Sequence, residues 1–217
     1  MQIEPDGAEH LPAAVQDDDC VAIALTLSAT GAPGSPGVRL RSGQLKAPLI
    51  ASANAIAATF LGGKSRPVSA KFFDKTAHRN WALGWHQDRT IAVRARVAVP
   101  GFGAWTLKSG IHHCEPPFSL LASMLTLRIH IDAAGPDNSP LLIAPGSHRR
   151  RIAETDIPEA IARYSPAACL AAPGDVWVYS LPILHASARA VNPARRRVLQ
   201  ISYSTDDLPG GLEWLGV

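Results

Sequence analysis

The sequence predicts a mainly β protein with flanking helices, built as an antiparallel barrel or double-sheet jelly roll. Three observations carry that expectation. One helix with a three-four apolar period leads the chain, from Leu45 to Phe60. Several short runs rich in β-branched and aromatic residues follow, with hardly any helical pattern among them. Turn clusters rich in Gly, Pro, Asn and Asp separate those runs, which suits antiparallel strands and argues against parallel βαβ units.

In chain order, CVAIALTLSA (20–29) is apolar but too short to span a bilayer. TGAPGSPG (30–37) reads as a loop. The helix places Leu45, Leu49, Ile50, Ala53, Ile56, Ala57 and Phe60 on one stripe, with Pro48 in its first turn and Gly62-Gly63 as its stop. The expected strands are PVSAKFF (67–73), TIAVRARVAV (90–99), MLTLRIHID (124–132), DVWVYS (175–180) and RVLQISYS (197–204), and a second short helix is expected near Pro158 to Tyr164. The expected organisation is a single domain over 1–217. Residues 1–63 form a flanking segment with one helix, 64–206 the β core, and 207–217 a tail.

Apolar residues make up 47% of the chain and charged ones 18%, as in a globular protein rather than a disordered one. The net charge of +3 is slight, and the triplets Arg149-Arg150-Arg151 and Arg195-Arg196-Arg197 are too short for a nucleic-acid stripe. They are compatible with an anionic small molecule. Cys20, Cys114 and Cys169 show no CxxC spacing, which favours a reducing compartment, and the N-terminus lacks a basic region followed by an apolar one. The expectation is a cytoplasmic protein with a small-molecule substrate and no nucleic-acid or membrane partner. Oligomeric state is left open.

The chemistry starts at Trp85-His86-Gln87-Asp88. If this stretch is extended, His86 and Asp88 share a face and Gln87 takes the other. His185, between two expected strands, can add a second imidazole. Two histidines and one carboxylate with open positions make the facial triad of non-haem Fe(II) oxygenases. Enzymes of that kind commonly use the dicarboxylate 2-oxoglutarate, whose far carboxylate calls for a forked guanidinium. Arg196 follows His185 by eleven residues, and Ser187 offers a hydroxyl on the same strand.

These segments resemble the phytanoyl-CoA dioxygenase family of Fe(II)- and 2-oxoglutarate-dependent oxygenases. The similarity rests on WHQD (85–88), DNSPLLIAPGSHR (137–149), GDVWVYSLPILHASARAVN (174–192) and RRVLQISYS (196–204), across about residues 66–206. It implies a double-stranded β-helix core of cupin type, with Fe(II) on His86, Asp88 and His185. It implies 2-oxoglutarate on Arg196 and Ser187, with Gln87, Trp105 and Lys75 beside it. The implied reaction consumes O2, converts 2-oxoglutarate to succinate and CO2, and hydroxylates a small, anionic organic molecule. Asp88 stands where related halogenases carry a small residue, so halogenation is not expected. Members acting on fatty acyl-CoA tend to be longer, so phytanoyl-CoA is not the expected substrate, and whether the enzyme acts on CoA esters is left open.

Other polar residues stay open. His113, in the pair His112-His113 beside Cys114, could touch substrate from a loop over the site, or could be an ordinary loop histidine. Arg128 and His130 could share a strand face with Asp132 as an internal polar group or as a substrate contact. Arg94 and Arg96 have the parity of His86 and Asp88, so an unbroken strand would aim them at the cavity and a bulge would not. Two other functions are also open: a cupin-like divalent-metal isomerase or hydrolase, and a binding protein with a vestigial site.

Overall fold

The computed structural model describes residues 1–28 and 37–217, so all but Gly37 of the expected TGAPGSPG loop lies outside the described residues. The strands in chain order are β1 (Ala8–Leu11), β2 (Val38–Arg39), β3 (Arg66–Lys75), β4 (Leu83–His86), β5 (Ile91–Val93), β6 (Gly103–Lys108) and β7 (Ile111–Glu115). They continue with β8 (Leu125–His130), β9 (Leu141–Ile143), β10 (Ala167–Cys169), β11 (Val176–Ser180), β12 (His185–Ser187) and β13 (Arg196–Ser204). The helices are α1 (Ile3–Asp6), α2 (Asp17–Ser28), α3 (Ala51–Leu61), α4 (Phe118–Ala122) and α5 (Ile157–Arg163).

The strands form a six-stranded sheet in the order β1-β11-β8-β13-β3-β2, a four-stranded sheet β10-β9-β12-β4, and a three-stranded sheet β5-β7-β6. All pairings are antiparallel. This is the jelly roll that the punctuation of the sequence predicts.

Strand parity divides the large sheet. Phe72, Leu127, Ile129, Val178, Leu199 and Ile201 face outward and join α2 and α3 in the main apolar core. The alternate positions face inward and carry many polar residues: Lys71 and Lys75 on β3, Arg128 and His130 on β8, Arg196 and Gln200 on β13. The small sheet closes over this inner face. The outer face therefore supplies the apolar burial that stabilises the fold, while the inner face is free to carry chemistry.

Four local expectations differ from the structure. The segment 1–63 carries α2 as well as α3. Its buried residues Cys20, Ile23, Ala24 and Leu27 have helical spacing, and Asp17, Asp18 and Asp19 suit the positive end of its dipole. Exposed Val21 and Leu25 hide that stripe in the sequence. TIAVRARVAV is a strand only over Ile91–Val93. Beyond it the backbone turns to the C-terminal segment, where Arg94 N–H donates to the Glu213 carbonyl at 3.0 Å and Val93 bridges Trp214. The second difference in helices is α4, a single turn that the sequence does not announce. The helix expected at Leu45–Phe60 begins as a 3-10 turn at Ala47–Ile50 and becomes α-helical at Ala51. Among the described residues no helix is long and apolar enough to cross a membrane.

Candidate metal and anion site

β4 ends at His86, and antiparallel pairing sets His86 directly opposite His185 at the start of β12. Their ring centroids are 4.2 Å apart. Asp88, two residues past His86, returns to the same face. One ligand atom from each of His86, Asp88 and His185 lies within 4.8 Å of the others.

Each imidazole is oriented by its own backbone. His86 Nδ1 lies 2.8 Å from the Gly84 carbonyl and His185 Nδ1 lies 2.9 Å from the Ile183 carbonyl. A carbonyl only accepts, so both Nδ1 atoms carry the proton and both Nε2 lone pairs are left for a metal. Burial pushes His185 down to about 4 against the opposing pull of Asp88, which keeps the ring neutral. Burial works to raise the Asp88 carboxyl, but nearby positive charge, Lys71 first, outweighs it and holds the group below the usual carboxylate range. Two neutral imidazoles and a carboxylate suit a divalent transition ion.

Opposite the triad, the inner face of the large sheet gathers Lys75, Arg128 and Arg196. Arg196 is buried at 2% exposure, and its Nε and Nη1 have no hydrogen-bond partner. Burial, then Arg128, lowers it to about 9. Arg128 donates to Gln200 Oε1 at 2.8 Å and lies 5.2 Å over the Phe73 ring, yet its Nε is also unpartnered. Both nitrogens of fully buried His130 lack partners too. Unsatisfied buried donors cost free energy, so this row is built to receive an acceptor-rich group.

Lys75 is register partner to Arg196. Its ammonium donates to the Trp81 carbonyl at 2.7 Å, Ser139 Oγ at 2.6 Å and Ser187 Oγ at 3.3 Å. Burial, then Arg196 and Arg128, lowers it to about 7. Ser139, with φ 56°, holds Ser187 through a 2.8 Å contact between hydroxyls. The sequence offers no periodic signal for Ser139, since its strained loop conformation is set by what surrounds it.

The structure brings His86, Asp88 and His185 together, and separately gathers Lys75, Ser187, Arg196 and Arg128. His113 also faces the interior, from strand β7 and not from a loop. His130 and Arg128 share the inner face, whereas Asp132 leaves it to pair with Arg197 at 2.7 Å.

Three other expected site residues stand elsewhere. Gln87 points away from the triad, as its parity requires. Its amide is consumed by the Arg150 and Pro182 carbonyls at 3.0 and 2.6 Å and by Ile152 N–H at 2.9 Å. Trp105 packs in the apolar cluster beneath the three-stranded sheet, with the Arg96 guanidinium 5.6 Å over its ring. Arg94 is on the surface, paired with Glu213 at 2.9 Å, because its strand ends at Val93.

The family model "Phytanoyl-CoA dioxygenase (PhyH)" matches residues 51–198. The chain belongs to the phytanoyl-CoA dioxygenase family. That match spans α3, the four-stranded sheet, strands β3, β8 and β11 of the large sheet, and every residue of the triad. Solved structures of similar fold include apo EctD from S. alaskensis, 17% identical with a TM-score of 0.67, over 93% of this chain and 74% of that one. The epimerase SnoN from nogalamycin biosynthesis, in complex with Fe3+, alpha ketoglutarate and nogalamycin RO, is 14% identical with a TM-score of 0.66, over 96% and 88%. HygX from Streptomyces hygroscopicus, with nickel and 2-oxoglutarate, is 13% identical with a TM-score of 0.62, over 93% and 84%. No curated protein sequence matches the chain significantly.

Proposed function

We propose that this phytanoyl-CoA dioxygenase family member is an Fe(II)- and 2-oxoglutarate-dependent oxygenase that hydroxylates a small organic molecule and releases succinate and CO2. The observation that carries it is the pairing of a His-Asp-His cluster on the small sheet with a buried, unpartnered guanidinium on the large one. A divalent-metal protein indifferent to 2-oxoglutarate would have no use for Arg196. SnoN, with Fe3+ and alpha ketoglutarate, and HygX, with nickel and 2-oxoglutarate, support the same reading.

His86 and His185 would offer Nε2 and Asp88 a carboxylate oxygen, leaving the remaining positions on the ion open. Bound Fe(II), with 2-oxoglutarate and O2, supplies the oxidising power to replace a substrate C–H by C–OH. Arg196 would hold the far carboxylate of the co-substrate, and Ser187 would add a hydroxyl donor. Lys75 adds positive charge and fixes both serines. Arg196 is almost fully buried, and the low local dielectric strengthens that charge interaction. Three buried free thiols fit a reducing, cytoplasmic setting.

The test is anaerobic addition of Fe(II) and 2-oxoglutarate, followed by exposure to O2. A weak visible charge-transfer band and slow succinate formation without substrate are expected. Loss of both would refute the reading. Epimerisation or ring closure instead of hydroxylation would show as succinate release without oxygen incorporated into product from 18O2.

A further inference from the structure

A second group of cations lines the interior on the other side of Asp88, and neither the triad nor the co-substrate anchor uses it. Arg39 on β2 is register partner of Lys71 on β3, and Lys71 of Gln200 on β13, which in turn faces Arg128 on β8. Paired residues point to one face, so Arg39, Lys71, Gln200 and Arg128 form a single rung with three cations and no acid. Like charges opposite each other in a sheet are destabilising. Lys108 on β6 approaches from the three-stranded sheet and donates to Thr90 Oγ1 at 3.2 Å.

Arg39, Lys71, Lys108, His113 and Asp88 line one cavity, whose remaining wall is largely apolar and includes Met124 and Leu181. Asp88 is its only carboxylate among the described residues. Lys71 Nζ stands 4.0 Å from Asp88 Oδ1. Among the described residues Arg39 has no ion pair, and its buried Nε has no hydrogen-bond partner. Burial, then Arg39 and Lys71, holds the Lys108 ammonium below the usual lysine value. One carboxylate faces three cations, and that carboxylate is itself committed to the proposed metal. The cavity is left with an excess of positive charge in a partly desolvated space, where a bound anion would lower the energy of the protein.

We propose that Arg39, Lys71 and Lys108 form the substrate's anchor, taking an oxyanion (a carboxylate or a phosphate) carried on a short apolar body. The inference deepens the oxygenase reading and rests on it for the word substrate. The anion would sit beside Asp88, with the apolar body against Met124 and Leu181, so that a carbon near the acid group is the one presented to the metal. His113 closes the cavity as a neutral ring, with Nδ1 tied to the Ile111 carbonyl at 2.9 Å.

Inorganic phosphate and acetate serve as probes, titrated calorimetrically into the metal-free full chain. Arg196→Leu is run in parallel to remove the co-substrate anchor. The expected result is single-site binding of at least one probe, retained in Arg196→Leu and weakened threefold or more by Arg39→Gln or Lys108→Gln. Arg39→Lys, which keeps the charge, should recover part of the loss and shows that an Arg39→Gln effect is not misfolding. Whichever probe binds more tightly identifies the oxyanion. The inference is overturned if neither probe binds, if binding disappears in Arg196→Leu, or if both glutamine variants bind within threefold of wild type. Because these titrations need neither iron nor 2-oxoglutarate, their failure alongside an intact charge-transfer band would refute the anchor alone. The converse result would refute the oxygenase alone.

Discussion

Along β8, Leu127 and Ile129 point outward to the helices while Arg128 and His130 point into the barrel. β13 repeats the division, with Leu199 and Ile201 outside and Arg196 and Gln200 inside. The outer face is apolar and closed by α2 and α3, where burial lowers the free energy of the folded chain. The inner face holds buried cations and orphaned donors that raise it. Neighbouring residues on one strand therefore have opposite effects on stability, and the unfavourable set is the one placed for ligands. Such a division is expected when a site is paid for by packing elsewhere.

Arg196→Leu sharpens the contrast most. Removing a buried charge that its anion would satisfy should weaken 2-oxoglutarate binding by about 2–5 kcal/mol, while the thermal midpoint of the ligand-free protein should not fall. Leu127→Ala, from a fully buried outer position, should do the reverse. A loss of about 2–5 kcal/mol in stability is expected by chemical denaturation, with the affinity of the remaining folded protein unaltered. If Arg196→Leu destabilised the protein as much as Leu127→Ala, the division between faces would be wrong.

His86→Ala should abolish high-affinity binding of a divalent ion while leaving the phosphate titration intact. Equilibrium dialysis with Fe(II) or Ni(II) measures the first, and retained metal binding would count against the triad.

Lys75 gives a pH signature. Its pKa is lowered to about 7 by burial, then by Arg196 and Arg128, so the ligand-free protein loses this proton as pH rises through about 7. A carboxylate binds the protonated form better. The affinity for 2-oxoglutarate should therefore fall above about pH 7, and binding near that pH should take up a proton. Calorimetry in two buffers of different ionisation enthalpy reads the uptake, and Lys75→Met should erase it. The sign for folding is opposite. An unfolded lysine keeps its proton up to its ordinary value, so this group makes the ligand-free protein more stable as pH rises from about 7 towards 10.

The smallest effect belongs to the outer face. Tyr203 Oη donates to Asn54 Oδ1 at 2.9 Å, tying β13 to α3. Tyr203→Phe should cost about 1 kcal/mol, measured by denaturant midpoint, with no change in either ligand.

The triad shows how far local pattern reaches. His86 and Asp88 are two apart, and strand parity puts them on one face wherever the strand lies. His185 and Arg196 are separated along the chain by a fixed distance, so the resemblance could carry them over. The same parity rule placed Gln87 on the opposite face, where its amide now bonds to backbone around Arg150 and Pro182. Parity failed for Arg94 because the strand stops at Val93, and strand ends depend on partners in the tertiary fold.

The fold class, the proposed ligand set His86, Asp88 and His185, and the guanidinium of Arg196 were legible before folding, because residue type and short-range spacing are written directly in the chain. Only the tertiary structure decided that His185 lies opposite His86, that Ser139 reaches Lys75 and Ser187, and that Arg39, Lys71 and Lys108 meet in one cavity. Those meetings depend on strand register and on loop closure between distant segments. Both are fixed by the collective packing of the apolar face, and no local stretch of residues specifies them.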